Sequence, residues 1–330
     1  MLNPDAQLNH KIFDKSSDEE ALRDGYGKGL VEAGKEKSVV VLTGDLEEST
    51  RVNWFKKVYP ERFIECGVAE QNMAAMAAGL GISGKIPFIN SYATFSPGRN
   101  WEQIRTTIAY NDSNVKIAGH HAGISTGPDG ATHQAIEDIA IMRAMPNMKV
   151  IVPCDAEEAR KATVAMVSLW GPIYIRLARE KTPLITTKET PFVFGKSYLL
   201  WQSRGQRIDV AIIGAGPLLY NALLAARELG KQKINSVVVN LHTIKPVDGR
   251  AVVEWAKKAG AVVTVEEHNV LGGVGSAVAE VLSQKYPVPI EFVGIKDIFG
   301  QSGKLHELWK RYHLDTKDIV NAAKKAVKRK

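Results

Sequence analysis

The chain has 330 residues, of which 45% are hydrophobic and 24% charged, a composition typical of a globular protein with about two domains. It has only two cysteines, Cys66 and Cys154, which excludes a disulfide-built scaffold or a zinc cluster and suits the reducing cytoplasm where we expect the chain to work. The net charge of +7 predicts neither a nucleic-acid nor a membrane partner, because five basic residues crowd the last seven positions and the apolar runs are only strand-sized.

The first half of the chain alternates predicted strands with predicted helices. We expect strands at residues 37–44, 62–67, 85–90, 115–120, 148–153 and 172–177. We expect helices at residues 71–80, 100–110, 134–144 and 156–169. This alternation indicates parallel βαβ units. Residues 179–194, with two prolines and many threonines, predict a linker.

A second alternating series follows the linker. We expect its strands at residues 209–214, 236–240, 261–266 and 290–293. We expect its helices at residues 218–229, 249–259, 275–284, 305–312 and 316–328. The glycine turn at 214–217 favours a tight turn over a dinucleotide site, because a third glycine and a ribose-binding acid are missing. The sequence therefore predicts an α/β protein with two parallel-sheet domains, residues 1–185 and 186–330.

A long polar loop follows the predicted strand at 115–120. It carries His121, Asp129 and His133 among several glycines. Ligands of open α/β sheets bind at the carboxyl ends of the strands, so this composition favours a functional site over a plain surface loop. His120 and His121 are adjacent at the strand end and should face opposite sides, so we do not expect them to share a metal ion.

Glu70 stands where a predicted strand passes into an alanine-rich helix. The residues alone leave two interpretations open. One is an acid of the first helical turn, favoured by the helix dipole. The other is a functional acid at the edge of the sheet.

Several motifs in the first half resemble the pyrimidine-binding domain of transketolases. They are GVAEQN at 67–72, YATF at 92–95 and GPDGATHQ at 127–134, extended by TGDL at 43–46, VPCD at 152–155 and RLAR at 176–179. In the second half, DVAIIG at 209–214, LHTIKP at 241–246 and VEEH at 265–268 are similar to the transketolase C-terminal domain. The resemblance covers nearly the whole chain. It implies the pyrimidine-binding fold of thiamine diphosphate enzymes followed by a transketolase C-terminal-like domain.

One departure from the family pattern bears on the biology. Family members hold the diphosphate of thiamine diphosphate and its divalent metal, Mg²⁺ or Ca²⁺, in a separate N-terminal domain marked by Gly-Asp-Gly and a later Asn. The chain has no such motif. The resemblance therefore implies the C-terminal subunit of a split-gene transketolase, with diphosphate and metal held by an N-terminal partner subunit. We expect no metal site in this chain, self-association to a dimer, and an α2β2 complex with the partner.

The resemblance also assigns roles in the transfer of a two-carbon ketol unit from a ketose phosphate to an aldose phosphate. Glu70, which would exchange a proton with the aminopyrimidine ring nitrogen, and His133, which would bond the donor hydroxyls, are the expected catalytic residues. The expected cofactor-binding residues are Asp45, Glu70, Tyr92 and Phe95. The expected substrate-binding residues are Arg23, Ser49, His121, Asp129, His133 and Arg179, with Asp129 contacting an acceptor hydroxyl and Arg23, Ser49, His121 and Arg179 gripping the phosphate.

Three alternatives stay open. The β subunit of a 2-oxoacid dehydrogenase has nearly this length and a helix-opening Glu, although its loop usually lacks Asp-Gly-x-Thr-His-Gln. A deoxyxylulose-phosphate-synthase-like enzyme shares Ala-Glu-Gln but is normally one long chain. A non-catalytic binding module is disfavoured by the intact Glu70 and His133. The sequence does not name the sugars, so ordinary pentose phosphates and modified sugars both remain candidates.

Overall fold

Two mainly parallel sheets organise the chain in the computed structural model, which describes residues 1–14, 17–205 and 207–330. The strands are β1 (Glu19–Ala21), β2 (Val39–Thr43), β3 (Phe63–Glu65), β4 (Ile86–Tyr92), β5 (Lys116–His120), β6 (Lys149–Ile151), β7 (Ile173–Arg176), β8 (Lys181–Pro183), β9 (Tyr198–Gln202), β10 (Val210–Gly214), β11 (Ser236–Asn240), β12 (Thr243–Lys245), β13 (Val262–Asn269) and β14 (Ile290–Ile295). The α-helices are α1 (Leu22–Ala33), α2 (Glu47–Thr50), α3 (Asn53–Val58), α4 (Glu70–Ile82), α5 (Trp101–Gln103), α6 (Asp138–Arg143), α7 (Ala156–Ala165), α8 (Leu219–Lys231), α9 (Gly249–Ala259), α10 (Val274–Lys285), α11 (Leu305–Arg311) and α12 (Thr316–Lys328).

The first sheet has the strand order β12-β6-β7-β5-β4-β2-β3. All neighbours are parallel except β12, which runs antiparallel to β6. Every residue of β2 and β5 is buried, as expected for central parallel strands covered by helices on both faces. The second sheet has the order β14-β13-β10-β11-β9, with β9 antiparallel. The predicted fold class is confirmed.

Two predicted helices differ from the observed ones. The helix expected at 134–144 begins only at Asp138, because the preceding residues pack against the histidine-bearing loop: Ala135 forms a β-bridge with Ala122, and the Gln134 side chain donates to the Ile124 carbonyl. The helix expected at 100–110 is largely a π-helix over Ile104–Ala109, a type of distortion that often accompanies functional sites.

Helix α1 was absent from the predicted elements, and its glycines explain why. Glycine disfavours helices, so local propensity argues against one here. In the folded chain α1 packs closely against α7, and a Cβ atom at Gly25 would lie 1.8 Å from the carbonyl oxygen of Ala156. The glycine is therefore required by a close helix–helix approach that sequence periodicity does not reveal.

The two halves of the chain exchange segments. Residues 1–14 come first in the sequence, yet Leu8 and Ile12 are buried in the core of the second sheet, and the Asn3 amide donates to the Leu200 carbonyl. Conversely, β12 comes from the second half and pairs with β6 of the first sheet. The predicted linker is also partly ordered, because β8 pairs with β1.

Candidate active site

Glu70 is the first residue of α4 and lies at the carboxyl edge of the first sheet. Its side chain is 1% exposed. Its Oε1 accepts a hydrogen bond of 3.3 Å from the Ser91 hydroxyl, and its backbone carbonyl accepts one of 3.1 Å from Asn100. Burying a carboxylate in this way requires polar partners, so the position is more than a solvated helix start.

Arg99 supplies the charged partner of Glu70. Its Nη1 lies 2.9 Å from Oε2 of Glu70, and its guanidinium carbon lies 4.7 Å from the centre of the Phe95 ring. The Arg99 side chain is 47% exposed, so this ion pair reaches from the buried carboxylate to the surface. Sequence reasoning missed Arg99; the only available indication was its place just after the YATF motif.

Four rings form a cluster beside Glu70. Tyr92 stacks on His121 with a centroid distance of 4.0 Å and an angle of 24°. His133 meets the Phe95 ring edge-on at 5.5 Å, and Tyr92 and Phe95 lie 6.1 Å apart. The structure thus brings together four of the predicted site residues, which lie at or after the ends of β4 and β5.

The two adjacent histidines occupy different environments. His120 packs edge-on against Tyr26 at 4.9 Å, and its Nε2 lies 3.4 Å from the Asn90 side-chain oxygen. His121 has a positive φ of 53° that turns the chain out of β5. Burial, followed by the charge of His120, lowers the pKa of His121 to about 2, so its imidazole is neutral at neutral pH.

Two of the four predicted phosphate residues line an open cleft of about 520 Å³, which we call the arginine cleft, whereas Ser49 and His121 are not among its lining residues. Arg23 and Arg179 both line it, and Arg23 Nη1 donates to the backbone carbonyl of Ser49 at 3.1 Å. Arg51 also lines the cleft and was missed by sequence reasoning; its Nε pairs with Asp24 at 2.5 Å. Burial, followed by the charge of Arg51, lowers the pKa of Arg23. Such a concentration of guanidinium groups suits an anion.

Arg179 links this cleft to the loop at residues 121–134, which we call the histidine loop. Its Nη1 donates to the Thr126 carbonyl at 2.7 Å and lies 3.5 Å from Oδ1 of Asp129. It also lies 3.7 Å from Glu180. Arg179 therefore holds the loop as well as facing the cleft.

Asp45 is exposed at the end of β2, with a left-handed φ of 61°. Its backbone amide donates to Oε1 of Glu65 at 2.8 Å, and the same oxygen accepts from the Gly67 amide at 2.8 Å. Glu65, expected to be only a strand-end surface residue, thus ties the loop after β2 to the loop before α4. This arrangement fixes the loop that leads into Glu70.

Comparison with known proteins establishes the family. The family model described as the transketolase pyrimidine binding domain matches residues 19–184, and that of the transketolase C-terminal domain matches residues 201–319. The chain belongs to the transketolase family. The resemblance stated from the motifs is confirmed, and a pyrimidine-binding domain of this family implies thiamine diphosphate as the cofactor.

Two relatives align with this chain over nearly the full length of both proteins. A putative transketolase C-terminal section of Methanocaldococcus jannaschii is 43% identical over 312 residues, which cover 93% of this chain and 96% of that protein. The 6-deoxy-6-sulfo-D-fructose transketolase subunit of a Clostridium species is 41% identical over 319 residues, covering 96% and 98%. These matches confirm the predicted transferase class. By contrast, the chain spans about half the length of the transketolase of Rattus norvegicus.

A solved structure described as a split gene transketolase, an inactive beta4 tetramer, has the same fold. Its TM-score is 0.85 and its sequence identity 43%, with 94% of this chain and 99% of that chain covered. Among the described residues of the present chain, no helix is both long and apolar enough to span a membrane.

Proposed function

We propose that this chain is the C-terminal subunit of a two-subunit transketolase that moves a two-carbon ketol unit from a ketose phosphate to an aldose phosphate. The observation that carries the proposal is the buried Glu70 carboxylate at the first turn of α4, next to the ring cluster of Tyr92, Phe95, His121 and His133. The relatives named as a C-terminal section or a subunit support the two-subunit form, because they match this chain almost end to end.

The side chains at this edge fit the pyrimidine end of thiamine diphosphate. The half-buried Phe95 ring offers an apolar face, and Arg99, which lies over that ring, also pairs with the Glu70 carboxylate. When bound, this cofactor supplies a nucleophilic carbon that proteins themselves lack. Glu70 would hold or release a proton at the pyrimidine ring nitrogen, Tyr92 and Phe95 would wall the ring, and Asp45 would face the thiazolium.

Arg99 must move before the pyrimidine ring can contact Glu70 and Phe95. It occupies Oε2 of Glu70 and covers the Phe95 ring, the two groups that the pyrimidine needs. Because its side chain is 47% exposed, it can swing into solvent without opening the core. We expect cofactor and partner binding to displace Arg99 from Glu70.

The diphosphate and a Mg²⁺ or Ca²⁺ ion are assigned to the partner subunit. Within the part of the chain that the structure describes, no group of three or more His, Cys, Asp or Glu residues is arranged to hold a metal ion. The residues of this chain named above are those proposed for the pyrimidine end of the cofactor.

The substrate would lie between the ring cluster and the arginine cleft. His133, half-buried against Phe95, would donate to the donor hydroxyls, and Asp129 would accept from an acceptor hydroxyl. Arg23 and Arg179 would hold the distal phosphate in the arginine cleft, and Ser49 would assist from beside it, where its backbone carbonyl accepts from Arg23. His121, neutral because of its lowered pKa, would contribute a hydrogen bond to the phosphate and not a charge.

The exposed side of α4 supports a subunit interface next to Glu70. Val68 just before the helix is 69% exposed, and Met76 and Ile82 within it are 37% and 69% exposed. Such an apolar stretch is unusual on a free surface. We propose that the α2β2 complex covers it, which places the partner's part of the cofactor site beside Glu70.

Reconstitution tests the proposed reaction. The chain is mixed with a subunit carrying Gly-Asp-Gly and the later Asn, then given thiamine diphosphate, Mg²⁺, a ketose phosphate and an aldose phosphate. Mass spectrometry should detect a donor shortened by two carbons and an acceptor lengthened by two. Oxidative decarboxylation of a 2-oxoacid with a lipoyl-protein acceptor, without ketol transfer, would instead favour the dehydrogenase alternative.

Light scattering tests the interface. Met76→Glu should prevent assembly with the partner subunit, because it places a charge in the covered apolar surface. Tyr286→Glu is the matched control, since Tyr286 is 37% exposed, like Met76, but follows α10 in the second half of the chain. Normal α2β2 assembly of the Met76 variant would contradict the interface.

A further inference from the structure

Glu267 of the second sheet reaches into the histidine loop of the first. It lies in β13, and its side chain is 3% exposed. Its Oε1 accepts a hydrogen bond of 2.6 Å from the Ser125 backbone amide, 142 residues away in sequence. Its Oε2 accepts one of 3.0 Å from Nε1 of Trp309 in α11. Both carboxylate oxygens are therefore used, one on the loop and one within the second domain.

The loop backbone is shaped to receive this carboxylate. Gly123 has a φ of 81°, and a Cβ atom there would lie 2.4 Å from Oε1 of Glu267. Only glycine permits both the conformation and the approach. The backbone carbonyl of Glu267 accepts from Nη2 of Arg176 at 2.9 Å, and Arg176 forms a buried ion pair with Asp138 at 2.8 Å. The contact is thus anchored from the first domain as well.

The second domain also holds the far end of the loop. Nε2 of Gln134 donates to the Gln301 carbonyl at 3.0 Å and to the Ile124 carbonyl at 3.1 Å. Between these two anchor points lie Asp129 and His133, whose own side chains do not bond to Glu267. Displacing the loop backbone would therefore move both side chains together.

We propose that Glu267 is a positioning residue, through which the second domain sets the geometry of the histidine loop and so of Asp129 and His133. Its catalytic consequence rests on the proposed function; its structural consequence does not. A charged acceptor holding a single backbone amide at 2.6 Å restricts the loop more tightly than packing alone.

Glu267→Gln tests the contact with little change in side-chain volume. The amide oxygen can accept from only one of the two donors, so its NH₂ group must face either the Ser125 amide or the Trp309 indole N–H. The double variant Glu267→Gln with Trp309→Phe removes the second donor and frees the amide oxygen for Ser125. Rescue by this second change distinguishes loop positioning from a general loss of stability.

Glu266→Gln is the matched control. Glu266 is the neighbouring buried carboxylate of β13, but it accepts from the amides of Val274 and Gly275 at the start of α10 and does not contact the loop. If Glu267→Gln does not fold, Ser125→Pro removes the same hydrogen bond from the loop side. Ser125 is near the start of a 3₁₀ segment, where proline is tolerated.

The first readout is hydrogen exchange in the isolated full chain, which needs no activity. In Glu267→Gln the amides of residues 122–130 should exchange roughly 10–100-fold faster. The double variant should regain most of the protection, and Glu266→Gln should keep it. Unchanged loop exchange in Glu267→Gln, or equal loss in the Glu266 control, would overturn the proposal whatever the activity of the enzyme.

The second readout is kinetics of the complex with the partner subunit. A displaced loop should raise KM for the donor roughly 10-fold and lower kcat as well, because both Asp129 and His133 move. A purely structural role would lower the amount of active enzyme without changing KM. If the complex shows no ketol transfer at all, the proposed function fails while the exchange result still decides the role of Glu267.

Discussion

Arg179→Ala should separate phosphate binding from the chemical step. The Arg179 guanidinium lines the arginine cleft, and all three of its polar contacts, to Thr126, Asp129 and Glu180, are made by Nη1. Its Nη2 group can therefore donate a hydrogen bond to a phosphate oxygen. A charge-assisted hydrogen bond contributes about 1.5–3 kcal/mol, which corresponds to a rise in KM of roughly 10–100-fold for phosphorylated donors.

The lost protein contacts of Arg179 set the background for this effect. The pair with Asp129 is long at 3.5 Å, and the Arg179 side chain is 26% exposed. Such exposed pairs contribute about 0–1 kcal/mol, and loss of the hydrogen bond to the Thr126 carbonyl loosens the loop further, but both effects act alike on phosphorylated and unphosphorylated donors. The difference between a phosphorylated and an unphosphorylated donor therefore isolates the phosphate contact.

The assay measures KM and kcat of the reconstituted complex with a ketose phosphate and with hydroxypyruvate. We expect KM to rise roughly 10–100-fold more for the sugar phosphate than for hydroxypyruvate, because only the sugar phosphate carries the distal phosphate. KM should change more than kcat, since that phosphate is bound equally in the ground and transition states. Lys181→Ala is the control, since Lys181 lines the same cleft but is exposed. Equal KM increases for both donors would show that Arg179 only holds the histidine loop.

Three further outcomes follow from the site and its surroundings. Glu70→Gln should lower kcat of the complex by about 10²–10⁴-fold and leave α2β2 assembly intact, and near-normal kcat would reduce Glu70 to a first-turn helix residue. The isolated chain should bind thiamine diphosphate weakly and without Mg²⁺ dependence in calorimetry, and submicromolar binding without the partner would contradict the split site. Burial lowers the pKa of His268 from 6.5 to about 4, with a smaller opposing effect of Asp138 and a smaller lowering effect of Arg176, so His268 stabilises the fold above pH 6.5 and this contribution is lost as pH falls towards 4. Denaturant titrations of His268→Gln should therefore show a pH dependence shallower by up to about 1.4 kcal/mol per pH unit over that range, and an unchanged slope would show that folding does not lower the pKa of His268.

The position of the site was determined largely by the sequence. Glu70, Tyr92 and His121 each stand at or just after the end of a predicted apolar strand. In a parallel sheet all such ends lie along one edge, so strand order need not be known for these residues to be expected together. The alternation of apolar strands and helices is a local property of the sequence. It was sufficient to predict the fold class and the edge of the sheet at which the site lies.

The tertiary structure alone decided the contacts that join distant segments. Residues 1–14 pack on the second sheet and β12 joins the first, because each occupies a sheet edge that local patterning does not specify. The ion pair of Arg99 with Glu70 and the bond from Ser125 to Glu267 likewise depend on where surface-like polar residues meet after folding. The sequence pattern around a polar side chain is the same whether its hydrogen-bond partner is water or a buried group. Only the folded structure distinguishes these two cases.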